Sequence, residues 1–276
     1  MFYMILSINI NRSYASTLEH IQKLNLSYPV PSEKGCTKSL LPRSIIGTPV
    51  VSMNGAKCVQ VKFCSETSKF DILEMCEESL PLDVTTATLT LAKKLGHCCQ
   101  YYLDGEIYAN PSNNFHFSLT GTFSKLTGII QKKCNNDFQK IIDDIGLPLR
   151  LVRLCGEQNI DGTMNILTES LGPRAYILRG STGWFVEILK KDVCKGNGLK
   201  RMCDAIDVKI EETIAFGDGC NDIEFLEMAG LGIAMKNAPQ FVKEASDEIT
   251  DFTNAEDGVR LKLKKLEKER KLQFGV

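Results

Sequence analysis

Four apolar residues, Leu199, Met202, Cys203 and Ile206, recur at i, i+3, i+4 and i+7, which places them on one face of a helix. The short run "TIAF" (Thr213 to Phe216) follows as a continuously apolar segment and predicts a buried strand that ends in a glycine-rich turn. Residues Asp222 to Met228 predict a further helix with Ile223 and Leu226 facing inward. "LGIAM" predicts the next buried strand, Pro239 suits the first turn of another helix, and "DEIT" predicts one more short strand. From Val259 the helical spacing returns at Leu263 and Leu266, with the basic tail "KLKKLEKERK" as the solvated face. Strands alternating with helices predict βαβ units and a parallel sheet covered on both faces.

The middle of the chain is patterned differently. Phe138, Ile141, Ile142 and Ile145 mark one helix, and Leu91, Ala92 and Leu95 support another. "QYYLDGEIYA" predicts two strands around an Asp-Gly turn, and "AYILRGSTGWFVEIL" a second hairpin with Gly180 and Gly183 in its turn. Helices mixed with hairpins predict an antiparallel α+β unit. The pattern thus divides the chain into a parallel α/β part in its second half and a separate α+β unit at roughly 57–190.

Composition narrows the partners. Of 276 residues, 43% are hydrophobic and 24% charged, as in ordinary globular proteins. A net charge of -1 removes any electrostatic case for nucleic acid or an anionic membrane as partner. The eleven cysteines include no C-x-x-C pair, which argues for a reducing compartment, most simply a cytoplasmic one. His97-Cys98-Cys99 has no second ligand pair at zinc-like spacing. No apolar run approaches the roughly eighteen residues needed to span a bilayer. The opening "MFYMILSI" reads as a buried strand.

The chemistry concentrates in "TIAFGDGCNDIEFLEMAG", Thr213 to Gly230. In an open parallel sheet, ligands sit beyond the carboxyl ends of the strands, and Asp218 follows Phe216 by two residues. Gly217 and Gly219 allow a tight turn and close approach of a ligand. Asp222 opens the next helix, where a carboxylate meets the positive end of the dipole. Asp218 and Asp222, with Asn221 between them, are oxygen donors suited to a hard cation such as Mg2+. Lys195, in "VCKGNGLKRM", begins the preceding helix, where an ammonium and a helix N-terminus suit a phosphate. An acidic turn that merely caps a helix, beside a solvated lysine, is the plain alternative.

Together, "CKGNGLKRM", "GDGCND" and "GIAMKNAPQFVKEASDEIT" resemble the haloacid dehalogenase (HAD) superfamily, specifically its Cof-type sugar-phosphatase branch. "TPVVSMNGAKC", Thr48 to Cys58, resembles the strand and Asn-Gly-Ala turn by which that branch enters its cap domain. "YYLDGEIYA" and "FVEILKKDVCKG" resemble its cap hairpin and its return to the core. The likeness runs from about Ile45 to the C-terminus. It implies a Rossmann-like HAD core in two parts, residues 1–56 and 191–276, with an α+β cap inserted at 57–190, and Mg2+-dependent hydrolysis of a small phosphorylated metabolite such as a sugar phosphate. It further implies that Asp218 binds Mg2+ with support from Asp222 and Asn221, and that Lys195 steadies the phosphoryl group. Asn54 and Gly55 would lie within reach of the substrate.

One departure matters. The family's N-terminal D-x-D-G-T supplies a nucleophilic Asp and an acid/base Asp, yet no Asp precedes Asp71 here. Nor is a "TGR"-like turn visible before Asn54. "MILSININRS" stands at the expected place and ends in Asn9-Ile10-Asn11, whose amides are poor nucleophiles. "NIDGT", Asn159 to Thr163, carries the D-G-T letters, but it lies inside the expected cap, has Asn at the nucleophile position and follows no evident buried strand. Pro29, Pro31, Gly35 and Pro42 break residues 26–43, leaving one helical segment near Leu18, Ile21 and Leu24. The N-terminal part of the core is therefore expected to be shortened or remodelled. Three functions remain: an Mg2+-dependent phosphatase, a phosphate-ligand binder without turnover, and a scaffold.

Overall fold

A computed structural model describes residues 6–7, 49–64, 69–103, 106–127, 130–134, 137–180 and 183–269. The Asn9-Ile10-Asn11 segment and the helix expected near Leu18 lie outside the described residues. Described residues up to Cys76 and from Cys194 onward form one compact unit; Glu77–Val193 form a second.

The first unit opens with β1 (Leu6–Ser7), parallel to β2 (Pro49–Ser52). One 3-10 turn, Met53–Gly55, sends the chain back as β3 (Lys57–Cys64), antiparallel to β2. With β4 (Lys69–Glu77) they form a sheet of order β1-β2-β3-β4. The expected boundary at residue 57 therefore moves to about 77: Val50 pairs with Val59 and Val51 with Cys58, so the returning strand stays with the core.

The second unit runs α1 (Leu82–Lys94), β5 (Cys98–Leu103), β6 (Glu106–Ala109) and α2 (Asn114–Thr127). It continues through β7 (Lys132–Lys133), α3 (Phe138–Asp144), β8 (Arg150–Leu154) and α4 (Ile160–Leu171) to the hairpin β9 (Ala175–Arg179) and β10 (Phe185–Lys190). The sheet order is β7-β6-β5-β8-β10-β9, antiparallel except between β6 and β7. Both expected hairpins form, with Tyr102 opposite Ile107 and Ile188 opposite Ile177. The Asp104-Gly105 turn itself lies outside the described residues. Tyr101, Leu151, Val186 and Ile188 pack with Val84 and Leu167 of the helices to make this unit's core.

Strand β8 was not legible. "RLVRL" contains two arginines, yet all five residues are buried. Three positions apart on a strand, Arg150 and Arg153 point to opposite faces of the sheet. On one face Arg150 Nη1 donates to Glu187 Oε2 at 2.7 Å, and the guanidinium lies 4.2 Å from the Tyr102 ring centroid. On the other, Arg153 Nη2 meets His97 Nδ1 at 2.8 Å. "NIDGT" thus does follow a buried strand, contrary to expectation. Its Asp161, however, is an exposed residue paired with Arg179.

The chain re-enters the first unit through α5 (Lys195–Ala205), β11 (Ile214–Gly217) and α6 (Ile223–Met228). It ends with β12 (Leu231–Ala234), α7 (Gln240–Glu244), β13 (Glu248–Ile249) and α8 (Gly258–Lys268). Strands β11, β12 and β13 are all parallel. Leu199, Met202 and Cys203 are buried against Val51, Phe225 and Leu226, as the helical spacing required. Three details differ from the pattern. Pro239 caps α7 from outside instead of opening it, and a 3-10 turn over Cys220–Asp222 precedes α6. Lys262, in the basic tail, is only 7% exposed because its ammonium pairs with Glu248 of β13.

Two outcomes follow from the buried charges of the second unit. Glu187→Gln leaves the Arg150 charge without its carboxylate and should cost about 3–5 kcal/mol in urea unfolding, most of it recovered in Arg150→Met/Glu187→Leu. Burial, then the Arg153 and His116 charges, lowers the His97 pKa from 6.5 to about 4. The unfolded chain therefore binds a proton at His97 that the folded chain refuses. Stability is full above about pH 6.5 and is lost as pH falls toward 4; His97→Gln should flatten this part of the stability–pH curve.

Candidate functional site

The six residues named for the site, Asn54, Gly55, Lys195, Asp218, Asn221 and Asp222, fall in the first unit, around the carboxyl ends of β2 and β11 and the start of α5. Lys195 is the first residue of α5, after Cys194 in extended conformation. It is 5% exposed, and its ammonium bonds Oδ1 of Asp222, also 5% exposed. The second oxygen of Asp222 accepts from the backbone N–H groups of Asp218 and Gly219, both at 2.9 Å. One buried carboxylate thus ties the β11 turn to the head of α5. Gly217 is required here, because a Cβ on it would stand 2.5 Å from Cβ of Asp222.

The turn after β2 locks onto the same place. Met53, Asn54 and Gly55 have φ values of 53°, 53° and 102°, the left-handed region that costs non-glycine residues about 1–3 kcal/mol each. Asn54 is buried and its Oδ1 accepts from Asn221 Nδ2 at 2.9 Å. A Cβ on Gly55 would meet the Cys194 carbonyl oxygen at 2.1 Å, and one on Gly198 would meet Gly55 Cα at 2.6 Å. Two glycines therefore permit backbone contact between this turn and α5, with Arg201 Nη1 donating to the Gly55 carbonyl at 3.3 Å.

Asp218 differs from Asp222 in environment. It is half-buried, and its Oδ2 accepts from Asn254 Nδ2 at 2.7 Å and from Asn237 Nδ2 at 3.4 Å. Asn254 N–H in turn donates to Asn237 Oδ1 at 3.0 Å. Neither asparagine was anticipated. The signal was available, since Asn237 lies three residues beyond β12 and Asn254 five beyond β13, the same strand edge that drew attention to Asp218.

Among the described residues, no three His, Cys, Asp or Glu side chains group as a metal site. With Asp222 committed to Lys195 and two backbone amides, the hard donors left among those the sequence marked are the Asp218 carboxylate and the Asn221 side-chain oxygen. Mg2+ takes one or two carboxylates and fills its remaining positions with water and phosphate oxygens, so this donor set suits it as a partial shell.

A parallel α/β edge carrying a buried lysine–carboxylate pair, a second acid and a helix N-terminus is the kind of strand edge at which α/β proteins bind ligands. The chain belongs to the haloacid dehalogenase-like hydrolase family, whose model matches residues 11–263. It is 38% identical over 101 residues to a phosphoglycolate phosphatase of Methanopyrus kandleri, covering 37% of this chain and 43% of the relative. It is 45% identical over 87 residues to 5-amino-6-(5-phospho-D-ribitylamino)uracil phosphatase YitU of Bacillus subtilis, covering 31% and 32%. The matched stretches span less than half the length of these curated relatives. Among solved structures, a haloacid dehalogenase-like hydrolase from Bacteroides thetaiotaomicron superposes with a TM-score of 0.71 at 23% identity, covering 96% of this chain and all of that one (100%). TM0651 from Thermotoga maritima superposes at 0.68 with 24% identity, covering 95% and 84%. At such identities the likeness establishes the fold, a HAD core with a second α+β unit.

The two acids should separate cleanly in unfolding experiments. Asp222→Ala strands a buried lysine and frees two turn amides, and should cost about 3–5 kcal/mol in urea. Asp218→Asn, at a half-exposed position with amide partners, should change stability by less than about 1 kcal/mol.

Proposed function

We propose that this chain is a HAD-type phosphatase that hydrolyses a small phosphorylated metabolite, such as a sugar phosphate, with Mg2+ held by Asp218 and Asn221. The observation that carries this reading is the buried Lys195–Asp222 pair at the head of α5, with Asp218 on the same turn. Lys195 and the positive end of the α5 dipole lie where a phosphoryl group would carry negative charge, and the 5% exposure of Lys195 leaves little water to screen its ammonium. Asp222 holds that ammonium in place and shapes the turn from which Asp218 projects. Asn54 and Gly55 form the neighbouring wall, within reach of the substrate. Bound Mg2+ would neutralise phosphoryl oxygens and hold them for in-line attack. The eleven cysteines suit a reducing, cytoplasmic compartment. Among the described residues no helix is long and apolar enough to cross a membrane.

A second reading has its own observation: no Asp occurs before Asp71, where the family places its nucleophile, and Asn9 and Asn11 cannot serve as carboxylates. On that reading the same residues bind a phosphorylated ligand without turnover.

Phosphate release from a panel of sugar phosphates, with and without Mg2+, separates the readings. Mg2+-dependent release that drops at least about 100-fold in Asp218→Asn supports the phosphatase, the loss expected when a group stabilising the transition state is removed. Absent turnover together with a melting shift on adding Mg2+ and phosphate supports the binder; saturation at about 100-fold over Kd contributes about 2.7 kcal/mol. No shift and no turnover would leave a scaffold.

A further inference from the structure

We propose that Asn254 and Asn237 are positioning residues that hold the Asp218 carboxylate in the orientation in which it takes a divalent cation. This inference rests on the Mg2+ reading above and extends it to two residues outside the acidic turn.

Three loops meet at Asp218, one from the carboxyl end of each of the parallel strands β11, β12 and β13. Asn254 and Asn237 both address the same carboxylate oxygen, Oδ2. Their own orientations are settled by chemistry. Asn237 Oδ1 accepts the Asn254 backbone N–H, and a backbone N–H can only donate. The oxygen end of Asn237 must therefore face Asn254, which turns its NH2 toward Asp218. Two donors on one oxygen fix the rotation of the carboxylate about Cβ–Cγ, which is what a cation with strict geometry requires of its ligand.

The choice of amides fits that purpose. A lysine or arginine at either place would hold Asp218 equally well but would cancel its charge, as Lys195 does for Asp222. An amide orients the carboxylate without bringing a charge of its own to the site. The relay also has little to do for the fold: Asn237 is exposed and Asn254 half-buried. The loop carrying Asn254 is held without its side chain. Thr253 N–H and Oγ donate to Glu256 Oε2 at 2.9 and 2.8 Å, and Gly258 N–H donates to the Thr253 carbonyl at 3.0 Å.

The test is isothermal titration of the metal-free full chain with Mg2+ alone, together with its melting temperature without metal. Asn254→Ala should weaken Mg2+ binding by about 10–100-fold, the usual effect of removing a partner of a ligating carboxylate. Asn237→Ala, losing the 3.4 Å bond to Asp218 and the oxygen that holds the Asn254 N–H, should weaken it as well, and metal-free melting should stay near wild type in both. A purely structural role would do the reverse, lowering metal-free melting while leaving Mg2+ affinity alone. Mg2+ binding within twofold of wild type in both variants overturns the proposal while the Mg2+ reading survives. Absence of Mg2+ uptake by the wild-type chain overturns both. Should Asn254→Ala fail to fold, Asn254→Ser and Asn237→Ala carry the same comparison.

Discussion

The buried Lys195–Asp222 pair is the contact on which the rest of the site depends. Removing either charge from water costs several kcal/mol, and the cost is tolerable only because each is met by the other and by further hydrogen bonds. The pair joins two segments separated by 27 residues, the head of α5 and the turn after β11. Because Asp222 also receives the amides of Asp218 and Gly219, that turn cannot relax without stranding a buried ammonium. The position of Asp218 is in this sense inherited from the ion pair. The strained turn at Met53–Gly55 is held by the same group of contacts, through Asn54 to Asn221 and through the Gly55–Gly198 approach.

Around that anchor the two acids divide their duties. Asp222 has its charge matched by an ammonium and acts through what it holds. Asp218 is addressed by amides from two further loops, which orient its carboxylate and bring no charge of their own. Such a division follows from parallel topology, which brings the ends of β11, β12 and β13 to one edge although they are dispersed along the chain.

The second unit shows a different solution to buried charge. Arg150 and Arg153 lie inside a sheet whose other positions are largely apolar, one matched by a carboxylate and an aromatic face, the other by a histidine. These arginines are why β8 escaped a reading based on hydrophobic pattern, and Lys262 in α8 escaped for the same reason. A charged residue in a sequence signals exposure by default, and its partner, 14 to 56 positions away in these cases, is set by the fold alone.

What the sequence determined by itself was whatever depends on near neighbours along the chain. Apolar spacing set the inward faces of α5 and α8, and short apolar runs set β11 and β12. Glycines beside two acids marked the turn at the carboxyl end of β11, and Lys195 was legible as the head of its helix. Only the tertiary structure decided that Asp222 would spend its carboxylate on Lys195, that Asn237 and Asn254 would converge on Asp218, and that β3 and β4 would stay with the core. Each of these turns on which distant groups meet. Periodicity reports the environment a side chain needs, whereas the identity of its partner is fixed only when strands take their order and register in a sheet.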